Sequence, residues 1–278
     1  MTGIAPLSSQ NSAPYDDASH KPVLKESLVA YFDELGTSQK IESLTQEELE
    51  GDLARYARLL WFLDGDDPSN ERSAYVVNTF TDNVSVSRPF RAVNDDDELD
   101  ALRLFLFLQG IAFYQANTVS TGTLLRGGIS CGLAYARPGF VTGPAHLKAV
   151  KLEEKGDTRS PRIIVNEDVV RLIATFETDE EKALFEGVLC IDDDQQSYVN
   201  YLELTIREHD GGENDVRLAL AEHRAVISAG LARFPASNSE NSSEKSPPRV
   251  KYLWAAKYHN SVCTRLTHDD LKIAAREL

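Results

Sequence analysis

The chain has little cysteine, a shortage of positive charge and no long apolar run, and each shortage excludes something. The three cysteines, Cys131, Cys190 and Cys263, are odd in number and far apart. That excludes a disulfide framework and a cysteine-rich zinc site, and fits a reduced cytoplasmic protein. No apolar stretch is long enough to span a bilayer, and the N-terminus lacks the apolar segment of a signal peptide, so the expectation is a cytoplasmic protein that binds no membrane. Lys and Arg number 29 against 44 Asp and Glu, a net charge of −15. Such a chain repels DNA, and a small polyanionic substrate would need metal ions and local cationic groups to bind it. What is present is apolar mass. The 278 residues are 42% hydrophobic, enough for a sizeable core with appendages.

Residues 1–20, rich in Ser, Asn, Asp and Pro, read as a flexible leader. Leu28 to Phe32 is a short buried strand. Thr45 to Leu63 is helical, opened by the capping-box pattern Thr45-Gln-Glu-Glu48. Ala74 to Phe80 and Val84 to Ser87 form a hairpin about Thr81-Asp82-Asn83. Leu99 to Asn117 is an apolar helix preceded by the acids Asp95 to Asp97. Leu124 to Tyr135 is a strand carrying Gly127, Gly128 and Gly132. Pro144 to Glu154 is a helix, Arg162 to Val165 a strand, and a helix starts at Glu167. This order predicts an α+β fold of the ferredoxin-like βαββαβ plan with additional C-terminal helices. The expected division is a core domain over 21–175 and a helical extension over 176–278, packed on the core or on a dimer partner. Within the extension, Val216 to Phe234 and Val250 to Leu266 read as helices, the second with Trp254 and Tyr258 near one face.

Two acids stand out. Asp33 ends the apolar run Ser27 to Phe32, and Asp82 sits at the hairpin tip. The plan makes the first strand and the hairpin neighbours, so the two carboxylates meet at one strand end, where a cation between them would relieve their repulsion. Read alone, each also has an ordinary use, Asp33 as a helix cap and Asp82 as a turn residue. Tyr31 shares a strand face with Asp33. The turn Gly36-Thr37-Ser38 offers backbone N–H groups to a phosphate. Arg126, beside Gly127, fits either a triphosphate contact or a strand-edge ion pair. Asp64 to Asp67 and Asp192 to Asp194 read as solvated acidic loops, and His259 as a packed helix residue.

Several segments then match a known family in order. Val29 to Ser38 resembles the first strand of class III nucleotidyl cyclases, and Thr79-Phe80-Thr81-Asp82-Asn83-Val84 resembles their metal-binding hairpin. Leu124-Leu-Arg-Gly-Gly-Ile-Ser-Cys-Gly132 is similar to the glycine-bearing strand that follows. With Gly143-Pro-Ala145, Pro161-Arg-Ile-Ile-Val165, Lys251-Tyr-Leu-Trp254 and Tyr258-His-Asn260, the chain most resembles the stand-alone pyrimidine cyclases of bacterial Pycsar antiphage systems. The resemblance covers Leu28 to Val169 well and the rest in patches.

The resemblance implies a uridylate cyclase that converts UTP to 3′,5′-cyclic UMP and diphosphate. It implies two Mn2+ or Mg2+ ions held by Asp33, Asp82 and the backbone carbonyl of Glu34, a nucleotide site including Tyr31, Gly36, Thr37, Arg126 and Lys151, a homodimer with shared sites, and a separate effector activated by the product during phage infection. The chain also departs from the pattern. Leu147 and Lys151 stand where many relatives carry an Asn and an Arg that steady the transition state, and Asn78 and Phe140 fall near the purine-reading positions. Cytidylate cyclase, purine cyclase and an inactive nucleotide-binding regulatory dimer stay open as alternatives, and the acidic surface speaks against a two-metal polymerase or nuclease.

Overall fold

A computed structural model describes residues 15, 16, 19, 21–35, 45–51, 75–80, 82–90, 101–155, 160–207, 212–234 and 248–275. The expectations on Gly36, Thr37, the Asp64 to Asp67 loop and the Asp95 to Asp97 acids lie outside these residues.

The described strands form one mixed sheet. Its order is β2 (Val76–Phe80), β3 (Asn83–Pro89), β1 (Lys25–Glu34), β4 (Leu125–Arg137), β6 (Ile163–Val165), β8 (Ser197–Val199) and β7 (Leu189–Ile191), with β5 (Phe140–Thr142) pairing β4 alone. The pairs β2–β3, β3–β1 and β1–β4 are antiparallel. A helical segment over 46–51 lies in the β1–β2 connection, and α1 (Ala101–Ser120) joins β3 to β4. That is the ferredoxin-like arrangement, with β1 central. The predicted capping box is formed: the Glu48 carboxylate accepts from the Thr45 backbone N–H at 2.8 Å, and Thr45 Oγ1 accepts from the Glu48 N–H at 3.4 Å.

Strand alternation divides β1 between two layers. Leu28, Ala30 and Phe32 face the main core with Leu104, Phe107, Leu108 and Ile111 of α1. Each of these leucine, isoleucine and phenylalanine side chains contributes about 1.5–3 kcal/mol by leaving water. Val29 and Tyr31 face the other way, onto α2 (Pro144–Lys155), through Ala145 and Ala149. Small residues let this helix lie close. A Cβ on Gly128 would meet the Ala149 carbonyl oxygen at 2.5 Å. Gly143, at φ +124°, enters the helix so near β4 that a Cβ would stand 2.6 Å from the Leu133 oxygen.

The stretch after residue 176 is not only helical. It adds β7 and β8 to the sheet beyond β6, besides α3 (Glu167–Ile173) just before it, α4 (Asp179–Leu184), α5 (Tyr201–Arg207), α6 (Gly212–Arg233) and α7 (Pro248–Arg265). Two further expectations are corrected. Tyr15, expected in a flexible leader, is fully buried with Val76 and Ala136, and its hydroxyl donates to Ser27 Oγ at 3.0 Å. The Asp192 to Asp194 loop is not a freely solvated face. Asp192 and Asp194 grip the guanidinium of Arg162, itself only 2% exposed, and Asp192 also accepts from Trp254 Nε1 at 2.7 Å. A buried arginine needs such partners, and here they clamp α7 to the β7–β8 turn.

His259 is packed as expected, in a buried chain of hydrogen bonds. Tyr201 Oη lies 2.7 Å from His223 Nε2, His223 Nδ1 lies 3.1 Å from His259 Nδ1, and His259 Nε2 lies 3.0 Å from the Leu271 carbonyl. A carbonyl only accepts, so His259 Nε2 carries hydrogen and its Nδ1 accepts. His223 Nδ1 must then donate, and its Nε2 accepts from Tyr201. One arrangement of protons satisfies all three contacts, with both rings neutral. Burial, together with His259, pushes the His223 pKa down to about 3.

Candidate active site

The end of β1 carries Asp33 between two strands. On one side it pairs with Asn83 of β3, and on the other with Arg126 of β4. The backbone N–H of Glu34 donates to the Asp82 carbonyl at 3.1 Å, which fastens the hairpin turn against the strand end. Asp33 and Asp82 are both partly buried at this strand end, and the Asp82 charge acts on Asp33. Burial first, then the Asp82 charge, raises the Asp33 carboxyl above the usual carboxylate range, and Arg126 partly offsets both.

Polar side chains fix the acids from both sides. The Tyr31 hydroxyl donates to Asn83 Oδ1 at 2.6 Å, and Asn83 Nδ2 donates to Asp82 Oδ1 at 3.2 Å. Tyr31 therefore steers Asp82 through Asn83, while its ring meets His146 of α2 edge-on at 5.8 Å. Across the site, Arg126 Nη2 stands 3.3 Å from Asp33 Oδ2, and its Nε stands 2.5 Å from Glu153 Oε1. Burial raises the Glu153 carboxyl, and Arg126 opposes that shift. Burial also lowers the His146 imidazole. Among the described residues, no group of three or more His, Cys, Asp and Glu side chains converges as a ready metal cage. The arrangement supplies a carboxylate pair, with a guanidinium opposite.

Other expected residues are placed differently. Glu34 turns its side chain to the buried face, so only its main chain stands at the site. Lys151 is exposed. Helical geometry puts Leu147 and Lys151 opposite Ala145, Ala149 and Leu152, which face the sheet, and Leu147 is 57% exposed. Neither is directed at Asp33 of the same chain. Asn78 and Phe140 do come together, but the Asn78 amide is spent on the β4–β5 turn. Its Oδ1 accepts from the Gly139 N–H at 2.6 Å, and its Nδ2 donates to the Phe140 carbonyl at 3.5 Å.

Asn83, His146, Glu153 and Lys251 belong to this site and were not singled out from the sequence for it. Asn83 neighbours Asp82. His146 and Glu153 follow from the helix face that carries Ala145, Ala149 and Leu152. Lys251 acts electrostatically on Asp33 from a distant helix, and no local pattern signals it.

No family model matches the chain, and no curated protein matches it. Among solved structures it is similar to the adenylyl cyclase CyaB from P. aeruginosa. The identity is 16%, with 63% of this chain and 93% of that one covered and a TM-score of 0.42. It is also similar to a bacterial light-regulated adenylyl cyclase at 14% identity and a TM-score of 0.43, over 66% of this chain and 57% of that one. No helix among the described residues is long and apolar enough to cross a membrane.

Proposed function

We propose that the chain is a metal-dependent nucleotidyl cyclase that acts on a pyrimidine nucleoside triphosphate, UTP before CTP, and forms a 3′,5′-cyclic nucleotide and diphosphate. The observation that carries this reading is the placing of Asp33 and Asp82 together at the end of the central strand, with Arg126 opposite. The acid pair fits Mg2+ or Mn2+. Burial and Asp82 both hold the Asp33 carboxyl above its usual range, a cost that a cation between the carboxylates removes. Ions of this kind take one or two carboxylates and complete their shell with water and substrate phosphates. When bound, they would make the 3′-hydroxyl more acidic and stabilise charge on the phosphates.

The chain's own groups have separate tasks in this reading. The carboxylates of Asp33 and Asp82, with the Glu34 carbonyl, hold the ions. Asn83 orients Asp82, and Tyr31 orients Asn83. Arg126 turns its guanidinium from the carboxylates to a phosphate. The locking of Asn78 into the β4–β5 turn removes one polar group from base reading, and this supports a base other than a purine. The outward direction of Leu147 and Lys151 supports a homodimer in which these residues reach the site of a second copy. The resemblance to the Pycsar cyclases supports a messenger role in antiphage defence, with the product acting on a separate effector.

Leu147 also favours a second reading, an inactive regulatory dimer that binds nucleotide, because its side chain makes no hydrogen bond to a transition state. The test is to incubate the protein with Mn2+ and each of the four ribonucleoside triphosphates, and to separate the products by chromatography. Cyclic UMP as the main product is expected. Cyclic AMP or GMP as the main product overturns the pyrimidine assignment. Nucleotide binding with no cyclic product from any of the four leaves the regulatory dimer.

A further inference from the structure

The pairing of β1 with β3 sets Ser85 directly across from Tyr31, on the same face of the sheet. The first turn of α2 lays the His146 ring against the Tyr31 ring, edge-on at 5.8 Å. Other polar groups around Tyr31 are already spent. Its own hydroxyl is bonded to Asn83, and the Asn78 amide holds the β4–β5 turn. Ser85 and His146 differ. Ser85 is 1% exposed, and among the described residues its Oγ has no partner. His146 is half-buried, and its Nδ1 is enclosed, again without a partner among the described residues. Two unsatisfied polar atoms beside one ring are a cost that the fold alone does not explain.

These surroundings fix the hydrogen of His146. Burial lowers its pKa, so the ring is neutral at neutral pH. A hydrogen on Nδ1 would be shut in with no acceptor, so it sits on Nε2, the nitrogen on the open side of the ring. His146 therefore presents one uncharged N–H beside Tyr31. An uncharged donor fits a carbonyl oxygen, whereas phosphates call for ions. Its place fits as well. Tyr31 stands two residues before Asp33 on one strand face, about 7 Å away, a gap that a ribose spans. A nucleotide with its phosphates at the acids can therefore lay its base beside Tyr31 and His146.

We propose that His146 is a specificity-determining residue, whose Nε2–H donates to the 2-oxygen of a pyrimidine base laid against Tyr31. This inference rests on the triphosphate reading given above. The 2-oxygen adjoins the glycosidic nitrogen in uracil and cytosine alike. Adenine has no carbonyl, and the carbonyl of guanine lies on the ring edge away from the sugar. One donor held beside Tyr31 therefore selects pyrimidines as a class. The Ser85 hydroxyl, which donates or accepts, tolerates either pyrimidine.

Calorimetric titration with 3′-deoxy-UTP in Mn2+ tests this without turnover, since the analogue lacks the attacking hydroxyl. The companion probes are inorganic triphosphate and 2-thio-3′-deoxy-UTP, whose sulfur is a poor acceptor. The proteins are the full chain, His146→Phe, which keeps a ring against Tyr31, and His146→Gln, which keeps a donor. His146→Phe should bind 3′-deoxy-UTP about tenfold more weakly than the parent. His146→Gln should stay within about threefold, since an N–H is retained. Inorganic triphosphate should bind all three proteins alike. The parent should bind the 2-thio analogue about tenfold more weakly than 3′-deoxy-UTP, and His146→Phe should not distinguish the two. Undiminished binding of 3′-deoxy-UTP by His146→Phe overturns the assignment. So does an equal loss for inorganic triphosphate, which shows a structural role, and so does a 2-thio penalty that persists in His146→Phe. A parent protein that binds none of the three probes overturns the triphosphate reading itself.

Discussion

The backbone N–H of Glu34 donates to the carbonyl of Asp82 at 3.1 Å, so the sheet ladder, and not a free loop, sets the approach of Asp82 to Asp33. Two acids fixed by main-chain bonds repel each other without being able to drift apart. The fold carries that cost, and in the proposed reading a cation between the carboxylates would offset it.

Replacing one acid should therefore separate stability from activity. Asp33→Asn removes a carboxylate whose charged form the fold disfavours overall, so the melting temperature should hold or rise. Cyclase turnover should fall by roughly a thousandfold or more, because metal stabilisation of developing charge is worth several kcal/mol. Turnover near that of the parent would remove Asp33 from the metal assignment.

Tyr31 acts on Asp82 at one remove, through the 2.6 Å bond to Asn83. Tyr31→Phe deletes that bond and keeps the ring against His146. The apparent affinity for Mn2+ should weaken about fivefold, the equivalent of one ordinary hydrogen bond of about 1 kcal/mol. Mn2+ dependence of turnover measures this. An unchanged Mn2+ requirement with a lowered melting temperature would make Tyr31 a packing residue only.

If Leu147 and Lys151 serve the site of a second copy, two inactive variants should rescue one another. Asp33→Ala carries an intact α2 surface, and a variant altered at Leu147 and Lys151 carries an intact acid pair. Mixed dimers hold one whole site, so an equal mixture should recover about a quarter of parental activity by random pairing. No recovery after confirmed exchange of subunits would refute shared sites.

Acid should loosen the C-terminal packing first. His223 is held at about pKa 3 in the fold against an ordinary value of 6.5. The unfolded chain therefore binds the proton first as pH falls. The stability is fully present above about pH 6.5 and is lost between there and about pH 3, at about 1.4 kcal/mol per pH unit for this histidine. His259 is shifted the same way, mainly by burial. Urea unfolding at several pH values should show this slope, and His223→Gln should reduce it. An unaltered slope in the variant would place the acid sensitivity elsewhere.

Much of the core was legible because its elements are long and patterned. The β1 run, the β2–β3 hairpin, α1 and α2 each announce themselves by alternation, by helical spacing or by a glycine-rich approach, and Asp33 and Asp82 stand at their ends. The strands β7 and β8 were not legible, since three residues each are too few for a period to show. Arg162 was hidden for another reason. A lone arginine reads as a surface charge until Asp192 and Asp194, some thirty residues on, are seen to enclose it. The partners of Asp33 were hidden by distance along the chain: Arg126 lies on β4, far from β1 in sequence, and only the pairing of the two strands brings it to Asp33.

The position of β6 inside the sheet bears on how this protein can be handled. A fragment ending where the βαββαβ plan ends would lose β8 and leave Ile163–Val165 as a bare rim, with unpaired amides and three apolar side chains that are buried in the whole chain. Such a rim recruits strands from other molecules. The tail is thus a guard on solubility as well as a neighbour of the site, and a minimal version of this protein should be sought by trimming its loops, not by removing its C-terminal third.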